Sequence, residues 1–406
     1  MSEEKKLFEK MNEPLPEVAA VLDRMIALRH DIHAHPELGF EEHRTAALAA
    51  KALREMGCDS VTEGVGRTGV VAVIRGKPGR HAVALRADMD ALPLVEKTGV
   101  AYASQTPGRM HACGHDGHVA WALTAAAALC RTRRFKGNAV IIIQPGEEGY
   151  AGAREMIRDG LFTRWQIDEV YGAHGGTELP LGKFGFTVGP CNAAAAKFTI
   201  TVTGKGGHGS RPHRCIDPVV ASAELVLALQ TVVSRSVDPM HPAVVAVGSI
   251  HGGDPVGQSV VPESVRLDGT TRCAWAEDED TIERRMGEIC EGLSKSTLCR
   301  IALDYTRMYA PLVNPPEQTA FVRRIAEAYA GKENCVDREP SMGAEDFSFY
   351  LKEKPGAFFR VGMGDAEHSA YAHSPGFNFN DKAIAGAASI FVRLVEERLA
   401  YLDARD

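Results

Sequence analysis

The apolar positions of the chain change rhythm twice. From Pro16, the residues Val18, Val21, Leu22, Met25, Ile26 and Leu28 recur at helical spacing. They predict a helix that runs into residues 29–37 and is stopped by Pro36, since the residue before a proline disfavours helical backbone. The alanine-rich segment from Glu41 to Met56 predicts a second helix. Unbroken apolar runs at 69–75 (GVVAVIR), 81–87 (HAVALRA), 139–144 (AVIIIQ) and 169–173 then read as strands buried on both faces, the first two joined by a turn at 76–79. Between them the apolar run 119–130 predicts a helix to about Arg133. After Pro190 the rhythm becomes alternation. A strand at 197–203 (KFTITVT) precedes a helix at 217–235, strands at 244–250 and 264–274, a helix at 279–296 and a strand at 299–306. That order is the split β-α-β pattern, a four-stranded antiparallel sheet with two helices. The chain then returns to its first rhythm, with a helix at 316–330, a strand at 357–361 and a last helix to about Leu402. The expected class is α/β: a mostly parallel sheet flanked by helices, built from 15–187 and 305–406, interrupted by an inserted α+β domain at 188–304.

Composition narrows the partners. The chain has 406 residues, 45% hydrophobic and 24% charged, with a net charge of −7 and no stripe dense in Lys and Arg. Nucleic acid is therefore not expected, because its binding rests on neutralising phosphates. The first residues, MSEEKKLFEKMNEPLPE, are charged and read as a loose arm over 1–14, with no apolar core of a signal peptide. The longest apolar stretches fall short of the ~20 residues of a membrane span, so no membrane partner is expected. Nine cysteines, an odd number without regular spacing, do not form a disulfide framework, which points to the reducing cytoplasm.

The candidate chemistry is concentrated in HACGHDGH, residues 111–118. His111, Cys113, His115, Asp116 and His118 put five metal-competent side chains in eight positions, in the loop before a helix. Elsewhere, apolar strands end in similar residues. One ends in Asp88-Met89-Asp90, one in Pro145-Gly146-Glu147-Glu148-Gly149 and one in His174-Gly175-Gly176. The ends of parallel strands are where open α/β sheets place their sites. Together with His373, the set Cys113, His115, Glu147, Glu148 and His174 offers enough donors for two divalent ions, with Asp90, Asp116 and Glu345 behind them. Of the adjacent Glu147 and Glu148, one would coordinate and the other would take a proton from water and return it to a leaving amine.

The signatures HACGHDGH, QPGEEG, GKGGHGSRPH, MGAEDFSFY and AHSPGF resemble the amidohydrolase branch of the dinuclear metallopeptidases. That branch includes aminoacylase-like N-acyl-amino-acid hydrolases, hippurate hydrolases and indoleacetyl-amino-acid hydrolases. The resemblance covers nearly the whole chain. It implies that Cys113, His115, Glu148, His174 and His373 are metal ligands, that Glu147 is the general base and that Asp90 supports the centre. It implies two divalent ions per subunit, manganese or zinc with cobalt or nickel as alternatives, and a lid at 188–304 through which subunits form a homodimer or higher oligomer. His208 matches a histidine that approaches the scissile group. Asn192 and Arg272 are candidates for holding a substrate carboxylate, and His213 and Glu345 for lining the pocket. Asp116 and His118 fall to supporting or helix-start roles, His111 to a structural or pocket role, and His30, His33, His35, His81 and His251 are read as structural.

The reaction implied is hydrolysis of the amide of an N-acetyl, N-benzoyl or indoleacetyl amino acid to a carboxylic acid and an amino acid. A dipeptidase or carboxypeptidase using the same centre is the alternative, and a catalytically silent binding protein is disfavoured because both Glu147 and Glu148 are present. The chain departs from the family pattern in GGTELPLG after His174, in Lys197 where an acidic residue is usual, and in Ser259 where Asn is common. None is a proposed ligand, so these departures bear on which substrate is accepted.

Overall fold

A computed structural model describes residues 13–405. Most of the arm expected at 1–14 lies outside the described residues. The chain divides into two compact units. The larger comprises the residues up to Gly189 with 313–339 and 349–406; the smaller comprises 190–312 with 340–348.

The larger unit is built on an eight-stranded sheet. In spatial order its strands are Ser60–Val65, Gly69–Arg75, Lys136–Gln144, Lys77–Asp88, Glu169–Pro180, Gly356–Gly364, Phe184–Phe186 and Cys335–Asp337. The four central strands, from Lys136–Gln144 to Gly356–Gly364, run parallel. These strands are apolar on both faces because helices cover both faces. Ile141, Ile143, Leu85 and Phe359 are buried against Trp121, Leu123 and Ile390. The helix His115–Thr132 is apolar almost all round, and it is accordingly internal, with Asp116 and His118 buried as well. The helix Leu22–Ala34 stops two residues short of Pro36, at His35. The expected run from Pro16 is broken at Ala20–Val21 into two helices.

One expectation fails here. The sequence pattern ends the strand at Ala173, with His174-Gly175-Gly176 beyond it, but the strand continues to Pro180. His174 lies opposite Arg360 in the parallel pairing with Gly356–Gly364. Gly175 lies inside the strand, not in a turn, and its missing side chain leaves room for Met363, whose Sδ would stand 2.5 Å from a Cβ there.

The smaller unit has a four-stranded antiparallel sheet in the order Ala243–Gly252, Ser264–Cys273, Ala194–Thr203, Arg300–Tyr309, with helices Pro218–Ser236 and Ala276–Thr297. Asp217 caps the first helix by accepting from the Val219 and Val220 N–H groups. That helix is long and apolar enough by composition to cross a membrane, which the sequence reading did not anticipate. Its Ala221, Leu225, Leu229 and Val232 enter the core of this unit, whereas Val219, Val220 and Leu227 are exposed. The expected boundaries of 188 and 304 need correction. Arg300–Tyr309 pairs with Ala194–Thr203 as far as Tyr309, so a cut at 304 would divide a strand. Residues 340–348 join this unit because the Ala193 and Ser341 N–H groups donate to the Ser341 and Cys191 carbonyls at 3.1 and 2.8 Å.

Candidate metal centre

Strand register brings the candidate ligands of the larger unit together. Arg86 stands opposite Ile142 in one neighbouring strand and Gly172 in the other. Two residues further along stand Asp88, Gln144 and His174, after which the first two strands give way to the loops carrying Asp90 and Glu147-Glu148. Gly146 has a φ of 56° and Glu148 leaves the helical region, which turns Glu147 and Glu148 toward the same space. Gly114, with a φ of 87°, separates Cys113 from His115 at the start of the His115–Thr132 helix. A Cβ at Gly114 would also press on Phe379 at 3.0 Å, so glycine is required there. His373 is anchored to the same loop, its N–H donating to the Ala112 carbonyl at 2.8 Å.

Of five donor triads among the described residues whose ligand atoms lie within 4.8 Å of one another, three are made of the expected centre residues alone: Cys113, His115 and His174; Cys113, Glu148 and His373; and His115, Glu147 and Glu148. Cys113, His115 and Glu148 each occur in two of these three, the sharing that two neighbouring ions require. Cys113 Sγ lies 3.3 Å from His174 Nε2, and His373 Nε2 lies 3.1 Å from Glu148 Oε1.

Hydrogen bonding fixes which imidazole nitrogens are available. His115 Nδ1 must donate to the Asp90 carbonyl at 2.9 Å, so Nε2, buried with no hydrogen-bond partner, is the nitrogen left for an ion. His174 Nδ1 donates to the Gly175 carbonyl at 2.7 Å, so its Nε2 lone pair faces the Cys113 sulfur. Glu148 Oε1 is also buried without a hydrogen bond, its 3.1 Å approach to His373 lacking the geometry of one. A bare imidazole nitrogen, a bare carboxylate oxygen and an imidazole–thiol contact converging in one place suit a divalent transition metal.

His118 behaves differently. Its Nδ1 donates to Asp88 Oδ1 at 2.5 Å and its Nε2 accepts from the Gly175 N–H at 3.0 Å, so neither nitrogen is open to an ion. Asp116 is fully buried and accepts from Arg29 Nε at 2.7 Å and His33 Nδ1 at 2.9 Å. His111 is buried with both ring nitrogens unpartnered, and burial pushes its pKa down to about 4.

The electrostatics favour a cation. Burial alone would raise Asp88, but Arg86 at 2.7 Å, His115 and His118 outweigh it and hold the carboxylate well below its ordinary value. Burial lowers His115, yet Asp88 and Cys113 raise it well above the usual imidazole range. The Cys113 thiol is pushed up to about 12 by burial and then by Glu148. His174 is held neutral by burial, with Arg360 adding to the effect.

Asp90 serves two partners. Its carbonyl and Oδ1 face His115 Nδ1, at 2.9 and 3.2 Å, and its Oδ2 accepts from the Glu148 N–H at 2.8 Å. Sequence reasoning named Asp88 as a strand-end carboxylate without giving it a role, and it missed Arg86 and Arg29. For Arg86 a signal exists: Arg86, Asp88 and Asp90 are polar at alternate positions at the end of a buried strand, and so share one face.

The remaining candidates belong to the smaller unit. Arg272 is half-buried, donates to the Thr271 carbonyl at 2.8 Å and to Thr270 Oγ1, and has no carboxylate partner among the described residues. Asn192 donates to the Gly343 carbonyl at 3.2 Å and leaves its own buried Oδ1 without a partner. Glu345 is buried and accepts from the Phe347 N–H at 3.0 Å. His208 is exposed on the short pair with Val260, its Nδ1 bonded to Ser210, and His213 is exposed in a 3-10 turn.

A mostly parallel sheet whose strand ends gather thiol, imidazole and carboxylate donors, with an inserted antiparallel unit, defines a metal-dependent hydrolase of the two-unit kind. The chain belongs to peptidase family M20/M25/M40, whose model matches residues 84–397. It is similar to the hippurate hydrolase of Campylobacter jejuni, at 37% identity over 94% of this chain and 98% of that one. It is also similar to the N-acetyl-L-cysteine deacetylase of Bacillus subtilis, at 38% identity over 90% of this chain and 86% of that one. Among solved structures, the YXEP protein of Bacillus subtilis, described as a dinuclear metal binding peptidase from the M20 family, matches with a TM-score of 0.82. The identity is 29%, over 94% of this chain and 99% of that one.

Proposed function

We propose that this chain hydrolyses the amide bond of N-acyl amino acids, releasing a carboxylic acid and a free amino acid. The observation that carries the reading is the convergence of Cys113, His115, Glu148, His174 and His373, with the Nε2 atoms of His115 and His174 turned to one another's side of the site by the bonds their Nδ1 atoms make. In this reading those five side chains hold two divalent ions, manganese or zinc. Bound there, the ions would polarise the scissile carbonyl and acidify water near neutrality. Glu147, buried and within 4.8 Å of Glu148 and His115, takes the proton from the attacking water and returns it to the amine that leaves. Asp90 holds the His115 ring and the Glu148 backbone in place for both duties.

Substrate recognition is assigned to the smaller unit. Arg272 carries a guanidinium without a carboxylate partner among the described residues, suited to a bidentate bond with the amino acid's carboxylate, and the Asn192 carboxamide adds a polar contact. His208 serves as the donor to the carbonyl oxygen as negative charge develops on it. His213 and Glu345 are assigned to the pocket wall. The exposed Val219, Val220 and Leu227, with the free edge of the Ala243–Gly252 strand, support assembly of two copies through this unit. Nine free cysteines, with none paired in a disulfide, fit work in the cytoplasm.

The reading is tested with purified, metal-loaded protein and a panel of N-acetyl, N-benzoyl and indoleacetyl amino acids beside unblocked dipeptides. Cleavage of the acylated compounds with little cleavage of dipeptides is expected. Cleavage of dipeptides alone would replace this reading with a dipeptidase, and cleavage of neither would replace it with a binding protein.

A further inference from the structure

Away from the metal centre, two half-buried cysteines 72 residues apart in sequence meet with their sulfurs 3.7 Å apart. Their meeting is built into the backbone. The His43–Glu55 helix ends in a left-handed Gly57 with a φ of 87°, and the Gly57 and Cys58 N–H groups donate back to the Arg54 and Leu53 carbonyls. This double bond pattern sets the residue after the glycine against the end of the helix, and here that residue is Cys58. Cys130 lies in the last turn of the His115–Thr132 helix. Arg133, the residue that caps this helix, donates to the Gly57 carbonyl at 2.8 Å, to the Arg75 carbonyl at 2.5 Å and to Asp59 at 2.7 Å. One guanidinium thus clamps the segment carrying Cys58 onto the helix end carrying Cys130. Cys130 also opens to the surface, lining a cavity of about 210 Å³ with Val21, Arg24, Met56 and Arg131.

We propose that Cys58 and Cys130 form a redox-active dithiol, which low-molecular-weight disulfides such as oxidised glutathione convert to an intramolecular disulfide. Cys130 is the attacking sulfur. It is the one that lines the cavity, and the hydrogen bond from Cys58 and the charge of Arg133 hold its pKa below the usual thiol value. Its thiolate attacks one sulfur of the small disulfide and expels the other as a thiolate, which takes up the proton lost by Cys130. Cys58 then loses its own proton and attacks the Cys130 sulfur, breaking the mixed disulfide and releasing the second small thiol. Two protein thiols are oxidised, one small disulfide is reduced to two thiols, and both protein protons end on those thiols.

The position separates this chemistry from hydrolysis. Cys130 is 15 residues along its helix from His115, roughly 22 Å at the helical rise. The seven other cysteines are buried, except the half-buried Cys215, whose sulfur contacts the Arg211 carbonyl and no second thiol. Cys215 therefore serves as an internal control that can accept glutathione but cannot resolve it.

The test is incubation of the full-length, metal-loaded protein with oxidised glutathione, followed by peptide mapping without reduction. The expected product is a Cys58–Cys130 linked peptide, with no glutathione retained on either residue. Cys58→Ser should instead accumulate glutathione on Cys130, and Cys130→Ser should leave Cys58 unmodified. Oxidised wild-type protein should melt several degrees higher than reduced protein, and neither variant should show that rise. Glutathione held stably on Cys58 or Cys130 in the wild type would overturn the proposal. So would two free thiols at these positions while Cys215 reacts.

Discussion

The main-chain carbonyl of Asp90 lies 2.9 Å from His115 Nδ1, while the carboxylate of the same Asp90 takes the Glu148 N–H at 2.8 Å. One residue therefore sets the tautomer of one proposed ligand and the backbone position of another. Substitution at Asp90 keeps the carbonyl and removes the carboxylate. We expect Asp90→Ala to bind metal about 10- to 100-fold more weakly, the usual loss when a group supporting a ligand is removed. Competition with a chromogenic chelator measures this, and unchanged affinity would show that Glu148 holds its place without Asp90.

His115 and His118 stand three residues apart in the same motif and should respond oppositely. His115→Ala removes a proposed ligand, so bound metal should fall below the wild-type stoichiometry. His118→Ala should keep the stoichiometry but lose about 2–4 kcal/mol of stability, because Asp88 and the Gly175 N–H are left buried without their partner. Metal analysis and urea unfolding on the two variants separate these roles. Loss of metal from the His118 variant at full stability would reverse the assignment.

Glu42 gives the protein a pH dependence of known sign. Its carboxyl is buried under the loop before Glu147, accepting from the Gly146 N–H at 2.8 Å and from Thr68 at 2.5 Å. Burial, followed by repulsion from Asp90, raises its pKa to about 7. A carboxyl raised on folding contributes stability that is full below its unfolded value near 4.5 and is lost as pH rises through about 7. Glu42→Gln keeps an acceptor for Gly146 but has no proton to lose. Relative to wild type it should gain about 2 kcal/mol between pH 5 and pH 8. A stability difference that does not change with pH would remove Glu42 as the cause.

The larger features were legible because they rest on local pattern. The runs GVVAVIR and AVIIIQ are apolar on both faces, which only a sheet covered on both sides accommodates, and both are strands of the central sheet. HACGHDGH and QPGEEG concentrate donor atoms beyond what a structural turn needs. What escaped depends on contacts distant in sequence. The resemblance alone divided the roles of His115 and His118, because the partners of their nitrogens lie far away in sequence. The glycines after His174 suggest a turn, yet Gly175 continues the strand, with Met363 of the neighbouring strand in the space a side chain would take. The assignment of 340–348 to the smaller unit rests on backbone bonds between residues 193 and 341, which no local reading contains.

Arg272 gives the substrate side its own prediction. If its guanidinium receives the substrate carboxylate, Arg272→Ala should raise KM for an N-acyl amino acid about 10-fold or more with a smaller change in kcat. The same variant should show no such penalty against an acylated amine that lacks the carboxylate. An equal rise in KM for both compounds would assign Arg272 to folding of its strand.

The central claim is that one centre in the larger unit binds two divalent ions and that amide hydrolysis depends on them. The direct measurement strips the protein with a chelator, returns manganese or zinc stepwise, and follows bound metal and N-benzoylglycine hydrolysis in the same samples. The account predicts negligible turnover in the stripped protein, recovery complete at two ions per chain, and no recovery in the Cys113→Ala, His174→Ala double variant. Full hydrolysis by the stripped protein, or two ions bound and normal turnover in the double variant, would contradict it.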